Sequence, residues 1–436
     1  MKKNLTKFIS LILVVVFAFN LTSCQFLYSL FPELCPHSWK FLQTESAPTC
    51  TVVGYDVYEC EYCLEQKLEV KPKLSHDLRD SLTEEGVKVC FNCSYRCALP
   101  SGEISFHFPL LGNEYAGDCI YIKAGEYDVL IDAGSRAGSV EYISEYIDQY
   151  VTDGILEFVI VTHADQDHIA GFAKAKNGIF DLYECKTIID FPRTSKTTET
   201  YNRYVTNRNK EINQGATHYT ALECYNNANG AQRFYDLSGD GNVKMEILYN
   251  YYYEHSSSDE NNYSVCLQFH HGDRKFIFTG DLEKEGEEYL IQYNELSQVE
   301  LYKAGHHGSK TSSTTNLLEK IQPKMCVVCC CAGSFEYKAK PENTFPTQDF
   351  INRISPYTDK VFVPIMINFI QTEGVNTATK DDDVYKNDGE YQLLNGNITV
   401  TSDAAKGVYV VCSNNETLLK DTNWFKANRT TPLSWA

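Results

Sequence analysis

The sequence predicts an α/β domain preceded by a small cysteine-rich module, and three observations lead to this prediction. The chain has 436 residues, 43% hydrophobic and 22% charged, which is the balance of a soluble globular protein long enough for more than one domain. Seven cysteines crowd into residues 35–97. From about Glu103 onward, short runs with strand character alternate with segments whose apolar residues recur at helical spacing.

Residues 1–23 are predicted to be an export signal. A cationic start precedes an apolar stretch from Phe8 to Leu21, which has the length of a signal-peptide core rather than of a membrane-spanning helix. The stretch ends in Leu-Thr-Ser-Cys at Cys24, which resembles the lipobox of bacterial lipoproteins. We therefore expect a lipid on Cys24 that holds the protein on the outer side of the cell membrane. A plain secretory signal is the alternative.

Residues 24–100 are predicted to form a zinc-ribbon-like module with a structural rather than catalytic role. Two Cys-x-x-Cys pairs lie 30 residues apart, and Cys-x-His precedes the first. Such a pair binds one ion from a tight turn, and a second pair or a Cys/His pair completes the tetrahedron. The pattern resembles zinc-ribbon-like repeats of bacterial surface proteins, although a disulfide-stapled module is the alternative in an exported chain. The expected ligands of structural zinc are Cys35, His37, Cys60, Cys63, His76, Cys90 and Cys93.

The body, residues 101–436, opens with two predicted strands that pair with each other, at 118–125 and 127–134. A predicted helix at 140–151 follows, because its apolar residues recur at helical spacing. The next apolar run, 156–162, has the length and composition of a buried strand.

The buried strand runs directly into a six-residue motif dense in potential metal ligands. Its two imidazoles and two carboxylates are His163, Asp165, Asp167 and His168. Such a set can hold one divalent ion or share two while leaving positions for water, whose pKa the metal lowers. A helix cap or a solvated loop is the alternative interpretation.

The same residue types stand at the ends of other predicted strands. These residues are Asp132, Asp281, His306 and His307. Side chains at strand ends converge on one edge of a sheet, which favours a metal site over a helix cap. Asp132 is expected to orient a ligand histidine through a hydrogen bond.

Taken in order, these motifs resemble the metallo-β-lactamase-fold hydrolases, in particular the soluble hydrolase domain of ComEC-type competence proteins. The segments concerned read LIDAG, THADQDHIAG, TGDLE and GHHGS, and the resemblance covers about residues 103–411. It implies a four-layer αββα sandwich with the site at one edge of the sheets. It also implies that His163 and Asp165 serve one metal, that Asp167 and His168 serve a second, and that Asp281 bridges the two.

The resemblance and the strand-end pattern together give the expected site. The expected metal ligands are His163, Asp165, Asp167, His168, Asp281 and His306, and the expected catalytic residues are Asp132, Asp167, Asp281 and His307. Three positions depart from the family pattern: Asp165 replaces a histidine, Asn262 is nearest to a usual histidine ligand, and Phe345 precedes the proline where a histidine is common. Because oxygen ligands favour manganese over zinc, we expect one or two ions of either metal.

The expected function is a membrane-tethered hydrolase of phosphoesters or phosphodiesters that uses metal-activated water. The formal net charge of -19 repels phosphate backbones, which favours a small anionic substrate and argues against a constitutive nucleic-acid coat. An insert at about 190–250 is either a lid that steers such a substrate or a solvated helix face. Its cations include Arg193, Lys196, Arg203, Arg208 and Lys210. The alternative function is a non-catalytic surface binding module with a partly decayed site.

Overall fold

The computed structural model describes residues 35–50, 52, 54–71, 74, 78–81, 87–93, 96–98, 101–336, 343–368 and 391–436. The predicted signal, Cys24 and His76 lie outside the described residues. Across the described residues, the structure contains no helix with both the length and the apolar character needed to span a membrane. The chain divides between Cys97 and Ala98 into two compact units.

The first unit consists of short strands joined by cysteine-containing turns. Its strands are β1 (Trp39–Ser46), β2 (Gly54–Cys60), β3 (Gln66–Lys71), β4 (Leu78–Asp80), β5 (Val87–Cys90) and β6 (Arg96–Ala98). They form two three-stranded sheets, ordered β1-β2-β3 and β4-β5-β6. Each Cys-x-x-Cys pair begins at the last residue of a strand, at Cys60 in β2 and at Cys90 in β5.

The strands of the second unit build two large sheets and one small one. They are β7 (Glu103–Phe108), β8 (Ile120–Ala124), β9 (Tyr127–Ile131), β10 (Ile155–Val161), β11 (Glu184–Asp190), β12 (Thr217–Thr220), β13 (Phe234–Asp236), β14 (Val243–Ile247), β15 (Leu267–His271), β16 (Arg274–Phe278), β17 (Leu301–Lys303), β18 (Cys326–Val327), β19 (Cys331–Ala332), β20 (Val361–Phe362), β21 (Ile365–Ile367), β22 (Tyr391–Leu393), β23 (Ile398–Asp403) and β24 (Gly407–Cys412). The first sheet has the order β12-β11-β10-β9-β8-β7-β23-β24, and the second β13-β14-β15-β16-β17-β18-β20. The small sheet is β19-β21-β22.

Helices follow many of these strands. They are α1 (Ser139–Ile147), α2 (Gln166–Ile169), α3 (Ile179–Leu182), α4 (Glu199–Gln214), α5 (Ala221–Asn226), α6 (Lys284–Tyr293), α7 (Thr315–Ile321), α8 (Gln348–Ile354) and α9 (Asn423–Asn428). Short 3-10 helices span Tyr251–Tyr253, Glu260–Tyr263, Gly305–Gly308, Leu419–Asp421 and Leu433–Trp435. The predicted pairing of the first two body strands is confirmed, since β8 and β9 are antiparallel neighbours.

The two large sheets face each other across an aromatic core. Phe106 of β7 lies with its ring centroid 4.5 Å from that of Phe276 and 5.5 Å from that of Phe278, both on β16. Alternate residues point outward: His107 meets Tyr146 of α1, with 2.9 Å between Nδ1 and the hydroxyl oxygen. In the second sheet, Ile277 packs into a separate cluster with residues of α6, α7 and α8. Helices therefore cover the outer faces, which confirms the predicted αββα sandwich.

The stretch predicted as an insert, 190–250, contributes strands to both large sheets. It supplies β12 at the edge of the first sheet and β13 at the edge of the second. Between these edges, α4 begins at Glu199 after a capping hydrogen bond, in which Thr198 accepts from the backbone of Tyr201. The loop that precedes α4 lies beside the candidate site described next.

Candidate metal centre

Parallel strand pairs bring the predicted ligands to common edges of the two sheets. Strands β9 and β10 are parallel, so Asp132 and the motif that starts at His163 follow them at the same edge. Strands β16 and β17 are also parallel, which places Asp281 beside His307. Gly280 allows the turn before Asp281, because its φ is +55° and an added Cβ would lie 2.8 Å from the Ser264 hydroxyl oxygen.

Four of the predicted residues converge into one group, which we call the four-ligand group: Asp167, His168, Asp281 and His307. One ligand atom from each lies within 4.8 Å of the other three. Asp281 Oδ2 is 3.2 Å from His168 Nε2 and 3.1 Å from His307 Nε2. His307 Nε2 is also 3.4 Å from Asp167 Oδ2. Two imidazoles and two carboxylates at such distances are a donor set for one divalent cation.

Hydrogen bonds at the far side of each ring fix how the two histidines point. His168 Nδ1 donates to Asp132 Oδ2 at 2.7 Å, and Asp132 itself accepts from the backbone and hydroxyl of Thr162 at 2.8 and 2.7 Å. His307 Nδ1 donates to the Cys329 carbonyl at 2.9 Å. With Nδ1 protonated, each ring turns an Nε2 lone pair toward Asp281, as a metal-binding histidine does.

The polar atoms of this group fit a metal. The Nε2 atoms of His168 and His307 are buried and have no hydrogen-bond partner of good geometry in the described structure. Burial lowers the pKa of His168, but the carboxylates of Asp281 and Asp132 outweigh it and hold that pKa well above its ordinary value. The pKa of His307 is raised in the same way, by Asp281 and Asp118 against the effect of burial. The negative charge around the two rings attracts a cation. A bound metal ion can supply this positive charge in place of the protons on the rings.

His163 and Asp165 form a separate pair beside this group. His163 Nε2 lies 3.7 Å from Asp165 Oδ2, and the ring centroids of His163 and His168 are 4.1 Å apart with their planes tilted by 49°. Among the described residues, the pair has no third His, Cys, Asp or Glu ligand at the spacing of the four-ligand group. Asn262 does not complete it, because its side chain donates to Ser257 Oγ at 3.1 Å and accepts from the Glu283 backbone at 3.3 Å.

The structure places His306 outside the four-ligand group, unlike the sequence-based expectation. Its Nδ1 lies 2.7 Å from Glu283 Oε1. Both histidines adopt positive φ, 44° and 53°, and their ring centroids are 6.0 Å apart with the planes at 71°. Phe345, which stands where the family often has a histidine, lies with its ring 6.1 Å from that of His307.

Two buried residues that the sequence did not assign to the site complete it. Lys303, the last residue of β17, pairs with Asp118, donates to the Gly280 carbonyl at 3.1 Å, and lies 3.2 Å from Asp281 Oδ1. Burial raises the pKa of the Asp118 carboxyl, but Lys303 and His307 more than compensate and hold it below its ordinary value. The available signals were the Gly-Asp pair at 117–118 and a lysine at the end of an otherwise apolar strand.

In the first unit, the structure brings together two sets of thiols. Cys35, His37, Cys60 and Cys63 form one candidate group, and Cys50, Cys90 and Cys93 form another. Sulfur–sulfur distances are 3.6 Å for Cys35–Cys60 and 3.7 Å for Cys50–Cys90. Two thiolates that bind one tetrahedral zinc ion are expected to lie about 3.8 Å apart, and both distances are close to this value. They are far longer than the sulfur–sulfur bond of a disulfide. Cys50 was not predicted, because it stands outside either Cys-x-x-Cys pair.

The two Cys-x-x-Cys turns have the same local geometry. The backbone of Tyr62 donates to Cys60 Sγ at 3.4 Å, and that of Asn92 donates to Cys90 Sγ at 3.4 Å. Burial raises the pKa of Cys60, yet backbone donors that include Tyr62 lower it to about 6, which favours the thiolate that a metal requires. No cysteine of the described residues forms a disulfide.

A comparison with known protein families matches the part of the body that contains the ligand motif. Residues 112–183, which run from the loop before β8 through the ligand motif, match the model of the Metallo-beta-lactamase superfamily. This confirms the resemblance seen in the sequence.

Among curated proteins, the chain is similar to competence proteins. It is 27% identical over 256 residues to ComE operon protein 3 of Bacillus subtilis, covering 51% of this chain and 29% of that protein. It is 24% identical over 212 residues to Recombination protein 2 of Haemophilus influenzae, covering 48% and 22%. Competence protein ComA of Neisseria gonorrhoeae is 35% identical over 75 residues, covering 17% and 11%. The chain therefore spans less than a third of the length of these relatives.

Solved structures also match, among them two metallo-beta-lactamases. A metallo-beta-lactamase with a HARLDQ motif from Cronobacter sakazakii is 14% identical, with a TM-score of 0.28 and coverage of 45% of this chain and 76% of that one. A metallo-beta-lactamase from Thermotoga maritima is 14% identical, with a TM-score of 0.25 and coverage of 41% and 79%.

Proposed function

We propose that the body is a metal-dependent hydrolase of phosphoesters or phosphodiesters that uses one divalent ion, zinc or manganese, at the four-ligand group. The observation that supports this most is the convergence of two oriented, unpartnered imidazole nitrogens on Asp281. A bound divalent ion would supply a Lewis acid and lower the pKa of a bound water. The mixed nitrogen and oxygen donor set suits either metal.

Three groups of the chain have further roles in this proposed site. Asp132 and the Cys329 carbonyl orient the two histidines, so the ligand geometry exists before the metal arrives. Asp167 is the more exposed carboxylate of the group, and His307 and His168 hold its pKa far below its ordinary value against the effect of burial. It is therefore ionised and placed to accept a hydrogen bond from the attacking water.

The test is metal analysis of the purified protein together with hydrolysis of bis(p-nitrophenyl) phosphate. We expect one equivalent of metal at the body beyond the metal of the first unit. Asp281→Asn should lose that equivalent and the hydrolysis, because a neutral amide balances the cation and the two histidines poorly. Asp349→Asn, which changes an exposed carboxylate at the start of α8, should keep both.

The alternative, a surface binding module with a partly decayed site, draws support from the incomplete His163–Asp165 pair. Equal metal content in the parent and Asp281→Asn, with no hydrolysis by either protein, would favour that alternative over the enzyme.

We further propose that the first unit binds structural zinc at both of its thiol groups. Its buried hydrophobic core among the described residues is Val57 with five cysteines, while Phe41 and Leu68 are exposed. Such a core is too small to stabilise a fold of this size without a metal or a covalent staple. Chelation should therefore unfold this unit, as loss of β-sheet circular dichroism, whereas Cys60→Ser should remove one zinc equivalent and leave the other.

We also propose that a lipid on Cys24 anchors the protein to the membrane. This proposal rests on the sequence of the export signal, since Cys24 lies outside the described residues. Cys24→Ala should release the protein from the membrane fraction. A variant as firmly bound as the parent would contradict a lipid anchor.

A further inference from the structure

One lysine of the 190–250 stretch faces the ligand motif directly. Lys196 lies in the loop before α4, and its ammonium pairs with Asp165 Oδ1, on the side of that carboxylate away from His163. The Lys196 side chain is 31% exposed and that of Asp165 is 26% exposed. Both side chains are therefore partly exposed, so a ligand from solvent can reach this pair.

The other cations of the loop before α4 and of α4 itself contact groups outside the ligand motif. Arg208 pairs with the buried Asp190 at 2.6 Å, and Arg203 with Glu199 at 3.7 Å. The remaining two, Arg193 and Lys210, donate to Ser256 Oγ at 3.2 Å and to Asn207 Oδ1 at 3.2 Å.

The loop that carries Lys196 is held by a buried carboxylate. Glu260 is 6% exposed, and both of its oxygens accept hydrogen bonds from this loop. Thr194 Oγ1 donates to one oxygen, and the backbone and hydroxyl of Ser195 donate to the other at 2.9 Å each. The Lys196 backbone then donates to Thr194 Oγ1 at 3.0 Å. The hydrogen bonds to Glu260 therefore fix the position of the loop that carries Lys196.

An ammonium in this position has the chemistry of an anion site. It carries three donors, of which Asp165 engages one side. Lysine binds phosphate as a point charge, and a positive charge beside a bound divalent ion would hold an anionic group between them. The His163–Asp165 pair, which has only two ligands of its own among the described residues, is the part of the motif that this charge complements.

We propose that Lys196, positioned by Glu260, binds the phosphoryl oxygens of the substrate and supplies the second positive charge of a one-ion site. This deepens the proposed function, on which it rests, because it names the group that recognises the anion. It assigns the two halves of the ligand motif to different cations: a metal at Asp167 and His168, and an ammonium at Asp165.

The experiment measures binding of inorganic phosphate to the metal-loaded full chain by calorimetry, with metal content determined on the same samples. Lys196→Ala should weaken phosphate binding at least tenfold without changing the number of bound ions, and Lys196→Arg should recover part of the affinity. Glu260→Gln should give an intermediate loss, because an amide cannot accept with both terminal atoms. Lys210→Ala is the matched control and should bind phosphate as the parent does.

Unchanged phosphate affinity in Lys196→Ala would overturn the proposal, as would two ions bound at the body of the parent or no phosphate binding by the parent. Phosphate binding that depends on Lys196 in a protein without hydrolysis would support this inference while removing the proposed function. Hydrolysis by Lys196→Ala with the same KM as the parent would support the proposed function and contradict this inference.

Discussion

The two halves of the six-residue ligand motif lie side by side yet have different surroundings. The second half, Asp167 and His168, meets Asp281 and His307 from the ends of β16 and β17. In the first half, Asp165 instead pairs with Lys196 of the loop before α4, and the His163 ring lies beside that of His168. Each half of the motif contains one histidine and one aspartate. A metal group forms only where neighbouring strand ends deliver further ligands to the same point.

Each half also has its own lysine, and the two lysines differ in burial. Lys303 is fully buried against Asp118 and Asp281, whereas Lys196 and Asp165 are about a quarter to a third exposed. A buried ion pair is costly to break, because the remaining charge stays desolvated, while an exposed pair contributes little to stability. We therefore expect Lys303 to serve the fold of the site and Lys196 to serve its ligand.

The largest expected difference between the halves is in metal binding and rate. His168→Ala removes a ligand from the four-ligand group, so we expect loss of the body's metal and a fall in phosphodiester hydrolysis of roughly a thousandfold. His163→Ala should keep the metal and lose less than about tenfold in rate, since its half does not hold the ion. Metal analysis and initial rates on both variants check this. Equal metal loss in the two variants would mean that both halves bind metal.

The second expected difference is in stability. Lys303→Met removes the buried ammonium from Asp118 and Asp281 and leaves only the protonated histidines beside them, which should lower the free energy of unfolding of the metal-free protein by about 3–5 kcal/mol. Lys196→Met should cost less than about 1 kcal/mol, because its pair is partly exposed. Urea denaturation measures both values. Adding Asp118→Asn to Lys303→Met should restore part of the loss; no restoration would place the effect in packing rather than charge.

The third expected difference is in the response to pH. Carboxylates raise the pKa of His168 and His307 well above the ordinary value despite burial, whereas burial lowers the pKa of His163 well below it. Without metal, we therefore expect the first two rings to be protonated on both nitrogens at neutral pH, and His163 to be a neutral imidazole. A metal must displace those protons, so its affinity should fall as the pH falls, by about tenfold per pH unit for each proton released.

Metal titrations between pH 6 and 8 in buffers of different ionisation enthalpy would count the released protons. His163→Ala should leave the slope unchanged, because that ring binds no proton over this range. A metal affinity that does not vary with pH would contradict protonation of His168 and His307 in the metal-free site.

The sequence predicted the parts of this site that follow from strand ends. Asp132, Asp167, His168 and Asp281 each follow an apolar run, and parallel pairing of such runs brings their ends to one edge. The choice between His306 and His307 could not be read from alternation, since both residues lie beyond β17 with positive φ.

Other members of the site depend on contacts between distant segments. Asp118 and Lys303 meet across 185 positions of sequence, and the local pattern at each residue does not show that the two pair with each other. Glu260 looks like part of a polar loop until the Thr194–Ser195 segment closes over it. Cys50 joins Cys90 only through the fold of the first unit.

The smallest expected effect comes from Asp165→His, which would tell whether the first half can be turned into a second metal site. The substitution gives two adjacent imidazoles but no third ligand, since Asn262 is engaged with Ser257 and Glu283. We therefore expect the metal content to stay at one ion in the body. Because Lys196 loses its carboxylate partner, its charge becomes more available, and phosphate affinity should rise about two- to threefold, the scale of one partly exposed ion pair. Metal analysis and phosphate calorimetry on this variant measure both quantities. Binding of a second ion would show that the first half needs only a better donor, and the separate roles of the two halves would then be wrong.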